Sequence, residues 1–199
     1  MADADSSLDS PAGSPGMYTL EEQRTLIELA HRAIEAALDG KHVETTAPTP
    51  RLEEKRGAFT TLHLNGSLRG CVGYVEAIYP LYRTVAETAV AAAFYDSRFW
   101  PVTPQEAPEL KIDISVLSVP RPIQPEEVEV GRHGLVVSHN GRRGLLLPQV
   151  PVEHGWDRDT FLAQTCLKAG LPVDAWQNGA LLQGFTAEVF GEHEGRLPA

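Results

Sequence analysis

A thiol, a guanidinium and two glycines fall within one short run, Leu68-Arg69-Gly70-Cys71-Val72-Gly73. The reactive form of cysteine is the thiolate, and a neighbouring cation such as Arg69 favours it. A general base would complete a Cys-His pair. His63, His133, His139 and His154 are the candidates; His63 and His133 are the favoured ones beside Cys71 as the catalytic set. Backbone N–H groups left bare by Gly70 and Gly73, with the Arg69 fork beside them, could instead bind a carboxylate or phosphate. Without Gly-Lys-Ser/Thr following, the run is no nucleoside-triphosphate loop. A plainer reading of the same residues is a tight corner, with Cys71 packed and Arg69 paired to an acid.

Three further groups carry side chains with chemistry. Asp96-Ser97-Arg98-Phe99 offers Arg98 as a second ligand-binding cation; the simpler account is a helix-ending turn with an Asp-Arg pair, and Phe99 and Trp100 in the core. Gly131-Arg132-His133-Gly134 is a glycine-flanked basic loop, where His133 would titrate near neutrality. Glu153-His154 alone does not supply the three or more convergent ligands a metal needs, so no metal is expected. Cys166 lies on the apolar stripe of its segment and reads as core.

The elements that must hold these groups can be read from periodicity. Thr19 and Glu22 fit a capping box ahead of a helix carrying Leu20, Ile27, Ala30, Ile34, Ala37 and Leu38, stopped at Gly40. Residues 41–56 read as a polar loop. Ala58 to Leu64, the Asn65-Gly66 turn and Leu68 to Val75 form a hairpin, so the cysteine lies on its second strand. Gly70 and Gly73 suggest a bulge there, or a place where something approaches the backbone. Residues 80–95 form an alanine-rich helix, and Thr103 to Glu106 open a short one. Leu110, Ile112, Ile114 and Val116 alternate with Lys111, Asp113 and Ser115, predicting a strand with one wet face. Leu135 to Leu147 suggests a second hairpin around Asn140-Gly141. Asp157 starts a helix closed at Gly170, and Phe185, Ala187 and Val189 form a last strand. Hairpins mixed with helices, without βαβ alternation, predict an α+β fold with antiparallel sheet.

The totals exclude several classes. The net charge of -10 argues against a nucleic-acid partner, which needs a surplus of Lys and Arg. No stretch has the roughly 20 apolar residues of a membrane span. The N-terminus lacks a signal-peptide pattern. Two cysteines far apart make no disulfide framework. A reducing, cytoplasmic setting is expected. Residues 1–17, rich in Ser, Asp, Pro and Gly, are expected to be a disordered tail.

The chain resembles the AMMECR-type domain family, whose bacterial members are often called AmmeMemoRadiSam system protein A. LRGCVGYVEAIYPL, AAAFYDSRFWPVTPQEAPELKIDISVLS, the run from Gly131 to Pro172 and the closing FTAEVF carry the resemblance. It implies an α+β domain over residues 18–199, with a larger and a smaller lobe and a cleft between them. It assigns the LRGC motif to Leu68, Arg69, Gly70, Cys71 and Gly73, and departs from the family pattern at Tyr74, where Thr is usual. It implies a Memo-like protein and a radical S-adenosylmethionine protein as partners; no cofactor is expected. The resemblance names no reaction. The residues favour an enzyme or enzyme subunit acting on a small anionic or electrophilic substrate; the rival is a non-catalytic binding or scaffold module for those partners.

Overall fold

The computed structural model describes residues 18–192; the proposed N-terminal tail lies outside them. Helix α1 spans Leu20–Leu38. Thr19 caps it, accepting from Glu22 N–H at 3.2 Å while the Glu22 carboxylate accepts from Thr19 N–H at 2.9 Å. Its inner face buries Leu26, Ile27, Ala30 and Ile34. The following loop is not wholly solvated: Leu52 is fully buried and extends the core.

Strands β1 (Ala58–Leu64) and β2 (Ser67–Tyr74) form the hairpin. Asn65 and Gly66 both have positive φ, 51° and 77°, as a type I′ turn requires. Helix α2 (Leu81–Phe94) then crosses the back of the hairpin. Its alanines let β2 approach closely. A Cβ on Gly70 would lie 2.2 Å from the Ala92 carbonyl oxygen. What approaches the bare backbone of the motif is therefore a helix of the same chain.

Past α2, Thr103 to Glu106 form a turn, and the helical segment is only a 3₁₀ turn at Ala107–Glu109. Strand β3 (Lys111–Leu117) follows, then the short β4 (Arg121–Pro122), β5 (Gly134–His139) and β6 (Arg142–Leu146). Helices α3 (Gln149–Glu153) and α4 (Arg158–Lys168) lead to β7 (Leu181–Phe185) and β8 (Ala187–Gly191). Asp157 caps α4 by accepting from Thr160 N–H at 2.8 Å.

Two antiparallel sheets result, ordered β2-β1-β3-β8 and β4-β7-β5-β6. The fold is α+β. One face of the first sheet packs on α1 and α2 through Leu62, Ile112, Ile114 and Val116; α4 covers the second sheet through Phe161, Leu162 and Cys166. Leu117, Val136 and Phe185, with Phe59 packed on them, join the two.

Two sequence expectations are corrected here. The last strand is really two: β7 belongs to the second sheet and β8 to the first. The chain changes sheets at Thr186, whose N–H donates to Ser118 Oγ and whose carbonyl accepts from Ser118 N–H, both at 2.9 Å. Period-two alternation runs unbroken through that crossing, so it cannot mark it. The outer face of β3 is wet only at Lys111. Asp113 and Ser115 are buried: β3 is an inner strand between β1 and β8, and on this face Leu117 and Phe59 pack against Val136 and Phe185 of the second sheet.

Candidate functional site

Strand β2 is the edge of its sheet, so half of its backbone groups have no ladder partner. At Cys71 they are met by side chains from the turn after α2. Asp96 Oδ2 accepts from Cys71 N–H at 2.9 Å, and Arg98 Nη2 donates to the Cys71 carbonyl at 3.3 Å. Together they occupy the place of a neighbouring strand. Arg98 also donates to Asp96 through Nε at 2.9 Å and Nη2 at 2.7 Å. That guanidinium holds the Asp96 carboxyl well below the usual carboxylate range. Because Cys71 directs its N–H and C=O outward, its pairing with Thr61 is of the non-hydrogen-bonded type, which brings side chains close. Thr61 Oγ1 lies 3.2 Å from Cys71 Sγ.

The hairpin is irregular between Leu62 and His63, where Arg69 is the extra residue on β2. A bulge re-aims side chains. Arg69 reaches Glu106, with Nε 2.9 Å from Oε1 and Nη2 3.1 Å from Oε2, and also donates to the Pro101 carbonyl. The Arg69 hydrogen bonds, helped by Thr103 N–H, lower the Glu106 pKa to about 2. The fork is thus filled by an acid of the same chain. Gly70 and Gly73 have packing reasons of their own: a Cβ on Gly73 would lie 2.3 Å from the Phe59 ring.

Of the histidines, His63 shares the Cys71 face of the sheet. Its Nε2 lies 3.5 Å from Asp113 Oδ2. His133 is in the turn before β5, on the second sheet, where its Nδ1 accepts from Glu129 N–H at 3.0 Å. His154 stacks on Trp156, ring centres 4.7 Å apart. No group of His, Cys, Asp or Glu suited to a metal occurs among the described residues. Trp100, expected in the core, is 88% exposed, because the chain turns outward at Asp96 to Arg98 to reach the β2 edge. Phe99 is half-buried. Cys166 is fully buried, and burial pushes its thiol pKa up.

Sequence reading gave Thr61, Glu106 and Asp113 no part in the site. Asp96 it placed in a turn with an Asp-Arg pair, and the structure forms that pair. The others approach through strand register or a long loop. A cavity of about 230 Å³ lined by Tyr18, Arg56, Ser118 and Glu188 lies at the β3–β8 end of the sheet, away from these groups. Its polar walls are already engaged: Arg56 binds Glu54, and Glu188 accepts from Tyr18 N–H.

The AMMECR1 family profile matches residues 27–190. The chain belongs to the AMMECR1 family. A protein of Methanopyrus kandleri is 46% identical over 192 residues, covering 90% of this chain and 93% of that one. One of Thermococcus gammatolerans is 44% identical, covering 92% and 97%. The crystal structure of an uncharacterised protein of Pyrococcus horikoshii superposes with a TM-score of 0.79 at 44% identity, covering 89% of this chain and 95% of that one. Among the described residues, no helix is long and apolar enough to cross a membrane.

Proposed function

We propose that this AMMECR1-family chain is an enzyme, or the thiol-bearing subunit of one, that uses Cys71 Sγ as a nucleophile toward a small electrophilic substrate. The observation that carries this reading is the fixed thiol. Its backbone is held on both sides by Asp96 and Arg98, and its sulfur is met by the Thr61 hydroxyl. A hydroxyl donated to sulfur stabilises the thiolate. Arg98, although paired with Asp96, is the more open of the two cations to an anionic substrate: its side chain is 56% exposed, against 13% for Arg69 closed onto Glu106. His63 supplies acid–base function on this face, and His133 belongs to a turn of the second sheet. Alkylation by iodoacetamide at pH 7, followed by peptide mass spectrometry, tests this. Cys71 is expected to react about tenfold faster than N-acetylcysteine, with Cys166 silent. A Cys71 rate at or below that of the free thiol sinks the nucleophile.

A second reading is a binding module for a Memo-like protein and a radical S-adenosylmethionine protein. Trp100 and Tyr95, 88% and 77% exposed on either side of the Asp96–Arg98 turn, favour it. Exposed aromatics next to an arginine are the composition of binding hot spots. Trp100→Ala is then expected to weaken co-purification with such a partner about 30-fold, read by titration calorimetry. Unchanged affinity removes the surface from consideration.

A further inference from the structure

Asp113 is a carboxylate inside a sheet, 4% exposed, on the face of the first sheet opposite α1 and α2. Burying an acid is costly unless it is partnered. The fold makes room for it: a Cβ on Gly191 of β8 would lie 2.0 Å from Asp113 Oδ1. Register then places this acid in line with the thiol. Cys71 on β2 is opposite Thr61 on β1, and Thr61 is opposite Asp113 on β3. Thiol, hydroxyl and carboxylate form one row across three strands. His63 stands one step along the same face of β1, about 7 Å from Thr61 at the strand repeat. Its Nε2 is at ion-pair distance from Asp113, 3.5 Å. Cys71 and His63 are diagonal neighbours on adjoining strands, a separation that ring-sized side chains can span.

We propose that His63 and Asp113 are the acid–base half of the Cys71 site, with His63 taking the thiol proton and Asp113 acting as the residue that positions the imidazole. This rests on the nucleophile reading above and adds its proton acceptor. The step balances within the chain. The S–H bond breaks, an N–H bond forms on His63, and a thiolate–imidazolium pair results. Sulfur then bonds to the electrophilic carbon as the leaving group departs, and the imidazolium returns its proton to that group. Asp113 favours the imidazolium, and so the thiolate, by supplying the opposite charge. Among the described residues, the charged and titratable groups placed around His63 include Asp113 and its register partner Lys111 on β3, with Cys71 and Arg69 on β2. Lys111 opposes protonation of the ring. Arg69 is neutralised by Glu106. Asp113, the closest acid, sets the sign.

The test is the pH–rate profile of Cys71 alkylation by iodoacetamide in the full chain, where S–C forms and iodide leaves. His63→Gln is expected to slow Cys71 about tenfold at pH 7 and to move its profile toward alkaline pH. Asp113→Asn, near-isosteric, is expected to move it the same way by a smaller amount. A parallel NMR titration of the His63 ring reads the pair without reference to the thiol. Its midpoint should fall in Asp113→Asn. Should Asp113→Asn fail to fold, the half-buried His63→Gln decides alone. A reactive Cys71 whose profile is unmoved by His63→Gln overturns this inference and leaves the nucleophile standing. A wild-type Cys71 no faster than N-acetylcysteine overturns the nucleophile, and this inference with it.

Discussion

Gly70→Ala is expected to destabilise the protein by about 3 kcal/mol, lowering the melting temperature by roughly 6–12 °C. The added methyl would lie 2.2 Å from the Ala92 carbonyl oxygen, 3.1 Å from its carbonyl carbon and 3.7 Å from its Cα. These are backbone atoms of α2, so no side chain can swing aside. Relief requires the hairpin and the helix to separate, which opens the packing of Leu62 and Val85. Gly66→Ala is the internal comparison. It has open space around it and a φ of 77°, so its cost is only that of left-handed backbone, about 1 kcal/mol. Thermal unfolding by circular dichroism distinguishes the two. If Gly70→Ala melts no lower than Gly66→Ala, the close approach of β2 to α2 is wrong.

Arg69→Ala should lose about 2 kcal/mol at pH 7, because it strands Glu106 beside its remaining Thr103 bonds. The two side chains are 13% and 25% exposed, so the loss lies below that of a fully buried pair. The pH dependence identifies the cause. Folding holds Glu106 at about 2, below its unfolded value, so its contribution is present above the unfolded pKa. It is lost as pH falls from about 4.3 toward 2. The gap between wild type and Arg69→Ala should therefore narrow over that window, measured by urea unfolding at pH 7, 4 and 2.5. A gap of constant size would make lost packing, not the ion pair, the reason. Arg69→Lys keeps the charge but not the two-pronged geometry, and is expected to recover only part of the loss.

These two substitutions divide the run Leu68–Gly73 by role. Gly70 and Arg69 fasten the hairpin to α2 and to the loop around Glu106, and Gly73 makes room for the Phe59 ring of β1. What that fastening presents is Cys71, half-buried on the face of the sheet opposite the helices.

Much of this was local, and so was legible in the sequence. The Thr19 box, the Asp157 cap and the Asn65-Gly66 turn are settled by a few consecutive residues, whose side chains bond the adjoining backbone or allow positive φ. The α+β class followed from periodicity, and the cysteine strand from the turn beside it. The strand change at Thr186 was not legible, because alternation in Phe185, Ala187 and Val189 is the same in one sheet or two.

The facing of Cys71 was decided by tertiary structure. Counting back from the Asn65-Gly66 turn would pair Cys71 with Thr60, the residue whose hydroxyl meets Thr88 of α2 at 2.8 Å. The thiol would then be buried under the helix. One extra residue at Arg69 shifts the register, pairs Cys71 with Thr61 and turns the sulfur to the other face. Had Arg69 stayed in the ladder opposite Leu62, its charge would have pointed into the core. The bulge lets it reach Glu106 instead, an acid 37 residues away. Composition and spacing determined that a thiol, a guanidinium and an imidazole lie near one hairpin. Which of them share a face depended on contacts with α2, Glu106 and Asp113, which are distant in sequence and are met only when the chain folds.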